Sequence, residues 1–271
     1  MGTLLYVTDL GYQARGRRYC DEDIWLSGRL REEFDVALCH PLDAAALMDR
    51  FDAVVVRNSG PVLHYQEAYD AFTRAARESG VRVFNSLSGK GDMAGKDYLL
   101  QLSREGFPVI PTAGRREEFA RLPEADEYVV KPLLGADSVG LRFVGRAALE
   151  DVDPAGMLVQ PRIRFAYEVS FYFVGDAFQY ALYAPDPDAR WRLERYGPTD
   201  ADLAFARRFV DWNGLEYGIQ RVDACRAPDG ELLLVELEDL NPYLSLDLVG
   251  EAEREAFVTA MKGSLRELLK S

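Results

Sequence analysis

The apolar positions of the first 90 residues fall in short continuous runs separated by amphipathic stretches. "LLYVTD" (4–9), "DVALCH" (35–40), "FDAVVVRN" (51–58) and "VRVFNS" (81–86) have the length and β-branched content of buried strands. Within "HYQEAYDAFTRAARES", Tyr65, Ala68, Tyr69, Phe72 and Ala76 recur at helical spacing and form one apolar face. Strands alternating with helices predict a small parallel sheet covered by helices. A polar, glycine-rich stretch, "NSLSGKGDMAGK" (85–96), then reads as a linker.

Beyond it the pattern predicts a helix ("KDYLLQLSRE"), an extended piece ("FPVIPT"), and strands "EYVVKP" and "LRFVG" joined by "LLGADSVG". Strand "MLVQPRI" and a hairpin through "EVSFYFVGDAFQYALY" follow. A helix opens at Thr199, where Thr199 and Asp202 have capping-box spacing and Leu203, Ala206 and Val210 share a face. A second hairpin, "IQRVDACRAPDGELLLVELED", precedes a closing helix with Phe257, Met261, Leu265 and Leu268 on one side.

That second hairpin carries the densest chemistry. Glu236 and Glu238 interrupt an apolar run and point the same way, because strand side chains alternate. Like charges on one face of a largely buried strand are costly without a cation between them. If Asp229 and Gly230 form a two-residue turn, Asp223 lies opposite Glu236 and Arg221 opposite Glu238. Three carboxylates and a guanidinium then converge. "PDG" also suits a type I turn with a glycine bulge, which shifts pairing by one residue and turns Asp223 away; the two-residue turn is preferred. Hard oxygen donors without histidine or thiolate suit Mg²⁺. The competing reading is a solvated charged strand.

Composition narrows the classes. The chain has 271 residues, net charge −13, three cysteines without a C-x-x-C pair and two histidines. These exclude a Cys/His zinc cluster and disfavour nucleic acid or an anionic membrane as partner. No apolar run approaches a membrane span, and the opening residues lack signal-peptide features, so a reduced, cytoplasmic setting is expected. "DLGYQARG" after the first strand is not a dinucleotide fingerprint. Lys131 ends a strand before a loop with Gly135, Ser138 and Gly140, where backbone N–H groups and an ammonium can surround phosphate. Lys96 opens a helix after the linker. Arg57 ends a strand at the edge where open α/β sheets bind ligands, against the alternative of a structural salt bridge. Asp21, Glu22 and Asp23 read as favouring the positive end of a helix.

The ordered set "CDEDIWLSGRL", "FDAVVVRN", "VFNSLSGKGDMAGKDYLL", "FPVIPT", "VVKP" and "ELEDLNPYLSLD" resembles the ATP-grasp carboxylate–amine ligases, most closely the D-cycloserine synthetase-like and glutathione synthetase-like branch. The resemblance covers nearly the whole chain. It implies an α/β (α+β) ATP-grasp fold of three lobes: an N-terminal parallel-sheet domain (1–88), a central lobe (89–155) and a C-terminal lobe (156–271), with ATP between the last two. By position, Lys96 and Lys131 resemble the nucleotide-contacting lysines, with Gly135 and Ser138 in the phosphate loop. Gln160, Pro161 and Ile163 lie in the adenine-reading hinge, with Gln160 where many members carry glutamate, and Glu168 is expected at the ribose. Asp223, Glu236 and Glu238 resemble the magnesium ligands, and Arg221 the arginine facing the transferred phosphoryl group. Arg57, Glu194 and Asn241 fall on the substrate side, and Arg192, in the same substrate-side segment as Glu194, is expected to be catalytic with Arg221. Arg192 and Glu194 stand where relatives often show Arg-x-Asn, and Asn241 where the branch tends to carry glutamate.

The implied activity is ATP- and Mg²⁺-dependent activation of a small-molecule carboxylate as an acyl phosphate, which an amine attacks, giving an amide, ADP and phosphate. Intramolecular ring closure, a catalytically silent nucleotide-binding module and a kinase are the alternatives. A role in antibiotic biosynthesis follows only from the resemblance, and homo-oligomerisation is left open.

Overall fold

A computed structural model describes residues 2–14, 17–18, 20–58, 62–134, 140–186, 189 and 192–271. The first sheet is parallel, in the order β4 (Asp35–Cys39), β1 (Thr3–Thr8), β5 (Ala53–Asn58) and β6 (Val83–Phe84). A two-stranded ribbon, β2 (Gln13–Ala14) and β3 (Arg17–Arg18), follows β1. Helices α1 (Cys20–Leu30), α2 (Ala44–Leu47) and α3 (Val62–Ser79) connect the strands. Both faces of β1 are buried, with Leu4 and Tyr6 in one core and Leu5 and Val7 in another. This is why the run reads as continuously apolar rather than alternating.

The central sheet orders β8 (Arg142–Gly145), β7 (Glu127–Pro132) and β9 (Met157–Pro161), all antiparallel. Strand β9 pairs with β7 through Val130 and Val159, which makes residues 157–161 part of this sheet. The five-stranded C-terminal sheet orders β12 (Glu194–Arg195), β11 (Ala177–Ala184), β10 (Tyr167–Val174), β13 (Ile219–Arg226) and β14 (Leu232–Glu238). Helices α4 (Tyr98–Arg104) and α5 (Asp200–Asn213) cover one face through Leu102, Phe209, Phe171 and Val222. Helix α6 (Glu251–Leu268) packs Phe257, Met261, Leu265 and Leu268 into a core shared by the N-terminal and C-terminal sheets. The capping box at Thr199 is formed, and Gly214 closes α5 in the left-handed conformation. The segment "FPVIPTA" bridges two sheets, with Val109 beside Leu234 and Ala113 beside Val159.

The second hairpin reaches the anticipated pairing by another route. Its turn is the three-residue form: Ala227 N–H donates to Glu231 O, Gly230 N–H to Ala227 O, and Gly230 has φ +91°. Alone, that loop would shift the register by one. A bulge compensates: Ala224 pairs with Leu234 but Asp223 with Glu236, leaving Val235 as the extra residue. Leu232 and Leu234 face the core, and beyond the bulge Leu237 does so too. The bulge thus re-aims Glu236 and Glu238 toward Asp223 and Arg221.

The turn geometry carries a direct test. Gly230→Ala places a Cβ in the left-handed region and should lower unfolding free energy by about 1 kcal/mol. It should do so without altering whatever the distant acid cluster binds, measured by urea titration and calorimetry.

Candidate active site

Sheet pleating sets one face of the C-terminal sheet. Glu168, Ser170 and Tyr172 of β10 stand beside Cys225, Asp223 and Arg221 of β13, and Glu236 and Glu238 of β14 follow. Carboxylate oxygens of Asp223, Glu236 and Glu238 lie within 4.8 Å of one another. Arg221 sits among them: Nε and Nη2 donate to Asp223 at 2.8 Å, and Nη2 to Glu238 at 2.6 Å. Its Nη1 donates to Tyr243 O at 2.9 Å, and its guanidinium lies 5.8 Å from the Tyr172 ring centroid. Ser170 Oγ donates to Asp223 at 2.6 Å.

A second cation approaches from the linker. Lys96 is buried, and its Nζ lies 2.9 Å from Glu236 and 2.8 Å from Asp92. Tyr98 O–H donates to Asp92 and accepts from Leu237 N–H, tying α4 to β14. Lys131, also buried on β7, adds its field at Glu236. Burial pushes the Glu236 carboxyl up, yet Lys96, Lys131 and Arg221 outweigh it and hold the group down, to about 2. Glu238 goes the other way: burial, with Asp223, Glu236 and Asp92 nearby, outweighs Arg221 and pushes it up to about 8. Two glutamates two residues apart therefore differ because the cations are distributed unequally between them.

The other expected positions lie as follows. Gln160 is buried and donates to Thr112 Oγ1 at 2.8 Å, so its side chain turns inward; β9 ends at Pro161, and Ile163 follows it, half-buried. Glu168 is half-buried on the site face of β10. Asn241 is half-buried just after β14. Arg192 and Glu194 are exposed, the latter opposite Tyr183 on the edge strand. Gly135 and Ser138 lie outside the described residues. A cavity of about 630 Å³, lined in part by Arg104, Arg115, Gly156 and Met157, contains none of the acid-cluster residues.

Arg57 lies in a buried salt-bridge cluster, the structural arrangement weighed against a substrate contact. The guanidinium is enclosed at 2% exposure, with Nε 3.2 Å from Asp23, and Nη2 3.3 Å from Glu22 and 3.1 Å from Pro242 O. Tyr6 and Thr8 hydroxyls also donate to Asp23, and Glu22 accepts from Leu244 N–H. A salt bridge with two first-turn acids of α1 thus ties the N-terminal sheet to residues 242–244. Those acids lie in the first turn of α1, but Glu22 and Asp23 are consumed by this cluster rather than left to the helix dipole. Sequence reasoning also passed over Asp92 and Asp239. Asp92 had a signal, an i,i+4 spacing to Lys96 in "GDMAGK"; Asp239 had none beyond its place in an acidic run.

No protein-family model matches the chain. It is 27% identical over 247 residues to the cycloserine biosynthesis protein DcsG of Streptomyces lavendulae, covering 77% of this chain and 82% of that one. The solved structure of D-cycloserine synthetase DcsG superposes with a TM-score of 0.76 at 23% identity, covering 99% and 100% of the two chains. A glutathione synthetase of Neisseria meningitidis is 26% identical over 234 residues, covering 81% and 68%. The ATP-grasp ligase PsnB, solved with a minimal precursor, Mg and ADP, has a TM-score of 0.63 at 17% identity, covering 97% and 96%. The chain has the ATP-grasp fold and is similar along most of its length to ATP-grasp ligases. Ligases of this class couple carboxylate–amine bond formation to cleavage of ATP to ADP.

The buried Glu22 gives a pH test of the fold that is independent of any ligand. Burial foremost, and then Asp23, outweigh Arg57 and raise its carboxyl from the ordinary 4.5 to about 8. Between those values the folded state binds more protons than the unfolded one, so this group's contribution to stability is full below pH 4.5 and falls as pH rises toward 8. Glu22→Gln has no such dependence. Its melting temperature relative to wild type should therefore climb steadily from pH 5 to pH 8; a difference flat with pH would rule this out.

Proposed function

We propose that this ligase activates a small-molecule carboxylate as an acyl phosphate and joins it to an amine. The observation that carries the reading is the convergence of Asp223, Glu236 and Glu238 with Arg221 and Lys96 on one sheet face. The donor set fits magnesium: all ligands are carboxylate oxygens, and Glu238 is pushed up to about 8 by burial and then by neighbouring carboxylates that Arg221 does not balance. Asp223, Glu236 and Glu238 would hold Mg²⁺, which supplies charge neutralisation at the ATP phosphates. Lys96 and Lys131 would contact those phosphates, and Arg221 would face the phosphoryl group in transfer. Residues 160–163 and Glu168 would receive adenine and ribose. Phosphoryl transfer asks the protein mainly for alignment and charge stabilisation, which a rigid sheet face provides. Excluding water matters because an acyl phosphate hydrolyses.

The likeness to DcsG along nearly the full chain favours a small molecule over the peptide precursor bound by PsnB, and a role in secondary metabolism. It also supports a second reading, in which acid and amine belong to one molecule and the ligase closes a ring. The exposed Arg192 and Glu194 are the candidate selectors, one suited to a carboxylate and the other to an amine or guanidine. Phosphate release with ATP, screened over amino acids and their pairs with mass analysis of products, separates ring closure (no net mass change beyond loss of water) from joining of two substrates.

Two outcomes test the site. Lys131→Met and Lys96→Met should each weaken MgATP about tenfold, because a charge-assisted phosphate contact contributes about 1.5–3 kcal/mol; unchanged affinity in both removes the nucleotide assignment. Glu236→Gln should slow turnover by roughly 10²–10³ while remaining folded. Combining it with Asp223→Asn should cost far less than the product of the single effects, since the residues act as one unit. Without Mg²⁺ at neutral pH and above, Glu238→Gln is the variant that should gain melting temperature, as Glu236 is already stabilised by Lys96.

A further inference from the structure

The linker that delivers Lys96 is clamped by a residue with no part in the cluster itself. Asp239, fully buried, accepts from Gly91 N–H at 2.9 Å through one oxygen and from Met93 N–H at 2.7 Å through the other. These two amides flank Asp92, whose carboxylate holds Lys96 and Tyr98. Asn213 Oδ1 accepts from Lys90 and Gly91 N–H, and Asn85 donates to Asp239 O at 2.6 Å. The approach leaves no room for side chains. A Cβ on Gly89 would lie 2.3 Å from Asp239 Oδ2, and one on Gly91 2.5 Å from Leu237 O. Past Ala94 the chain turns through Gly95 at φ +94°, and Lys96 N–H reaches Leu133 O, two residues beyond Lys131.

We propose that Asp239 is a positioning residue: by fixing both amides around Asp92 it sets where the Lys96 ammonium stands against Glu236, and through Lys96 it sets nucleotide affinity. This rests on the reading of Lys96 as a phosphate contact. A carboxylate is suited to the task because it accepts two N–H bonds in a fixed fork, and buried N–H groups must be paired. Asparagine offers one acceptor oxygen and an NH₂ donor in place of the other, so Asp239→Asn breaks one arm of the fork, sets donor against donor there, and lets the turn carrying Asp92 relax. Touching neither metal nor phosphate itself, Asp239 acts on the nucleotide only while Lys96 is present.

The test is a double-mutant cycle read by calorimetric titration of MgADP into wild type, Asp239→Asn, Lys96→Met and the double variant, with urea midpoints measured alongside. Asp239→Asn should weaken MgADP about fivefold in the wild-type background and less than twofold in the Lys96→Met background. Gly89→Ala, which leaves the carboxylate in place but crowds it, should show the same dependence on Lys96 and serves if Asp239→Asn does not fold. Equal weakening in both backgrounds, no weakening, or failure of both variants to fold would assign Asp239 a purely structural role and overturn the proposal. Wild type that binds no MgADP, or Lys96→Met that binds it normally, overturns the reading of the site instead.

Discussion

The structure depends on how a buried run of carboxylates is kept compatible with folding. Asp223, Glu236, Glu238, Asp92 and Asp239 are all enclosed or half-enclosed near the end of β14. Desolvation alone would expel such a set. Arg221 and Lys96 prevent this from opposite sides, Arg221 through Asp223 and Glu238 and Lys96 through Asp92 and Glu236. Asp239 needs no cation because two backbone amides satisfy it. Every surrounding element answers to this arrangement: the Val235 bulge turns the glutamates inward, the glycines of the linker allow close approach, and α4 anchors Tyr98 against Leu237. The compensation is incomplete at Glu238, where an added cation would be most welcome.

How much of this was legible follows from which interactions are local. Strand and helix identity followed from periodicity, because burial on one or both faces is written directly in the apolar pattern. The Asp223–Glu236 pairing was anticipated, but through a two-residue turn that does not exist. The true turn and the Val235 bulge each shift the register by one, in opposite senses, and their cancellation left the pairing intact. A bulge has no signature when β-branched and apolar residues run continuously through it, as in "LLLVELE". The break in burial from Leu234 to Leu237 was the only trace, and it becomes readable once the core face is known. The partners of Arg57 were hidden for the same reason. Glu22 and Asp23 lie more than thirty positions away, and only the packing of α1 over β5 brings them together.

The recognised sequence pattern and the physical site also overlap unequally. Lys96 and the three acids, to which the resemblance assigns nucleotide and metal, meet at one place. Asp92, by contrast, binds Lys96 as closely as Glu236 does, yet no pattern singled it out. Residues that contact a ligand recur in motifs because the ligand is common to the family. Residues that hold those contacts in place answer only to the local backbone, so they must be found by asking where each buried polar group finds its partner.

The loop after β14 shows what that question yields beyond the charged cluster. Three successive carbonyl-bearing residues are gripped from different lobes: Pro242 O by Arg57, Tyr243 O by Arg221, and Leu244 O by Tyr180, while Leu244 N–H donates to Glu22. Arg57 and Glu22 belong to the N-terminal sheet and its first helix; Arg221 and Tyr180 belong to the C-terminal sheet. Displacing the N-terminal lobe by even an ångström would lengthen the bonds to Pro242 and Leu244 and drag on the peptide that fixes Arg221. Core packing reinforces the coupling, since Tyr6 and Leu26 of one lobe and Tyr172 and Ile219 of the other share one apolar cluster with α6. The two lobes are therefore joined around Arg221 as a unit. The sheet that carries Lys131 joins the same framework through the bridges at Val109 and Ala113, through Leu158 in the core of the C-terminal sheet, and through the Lys96 N–H bond to Leu133 O.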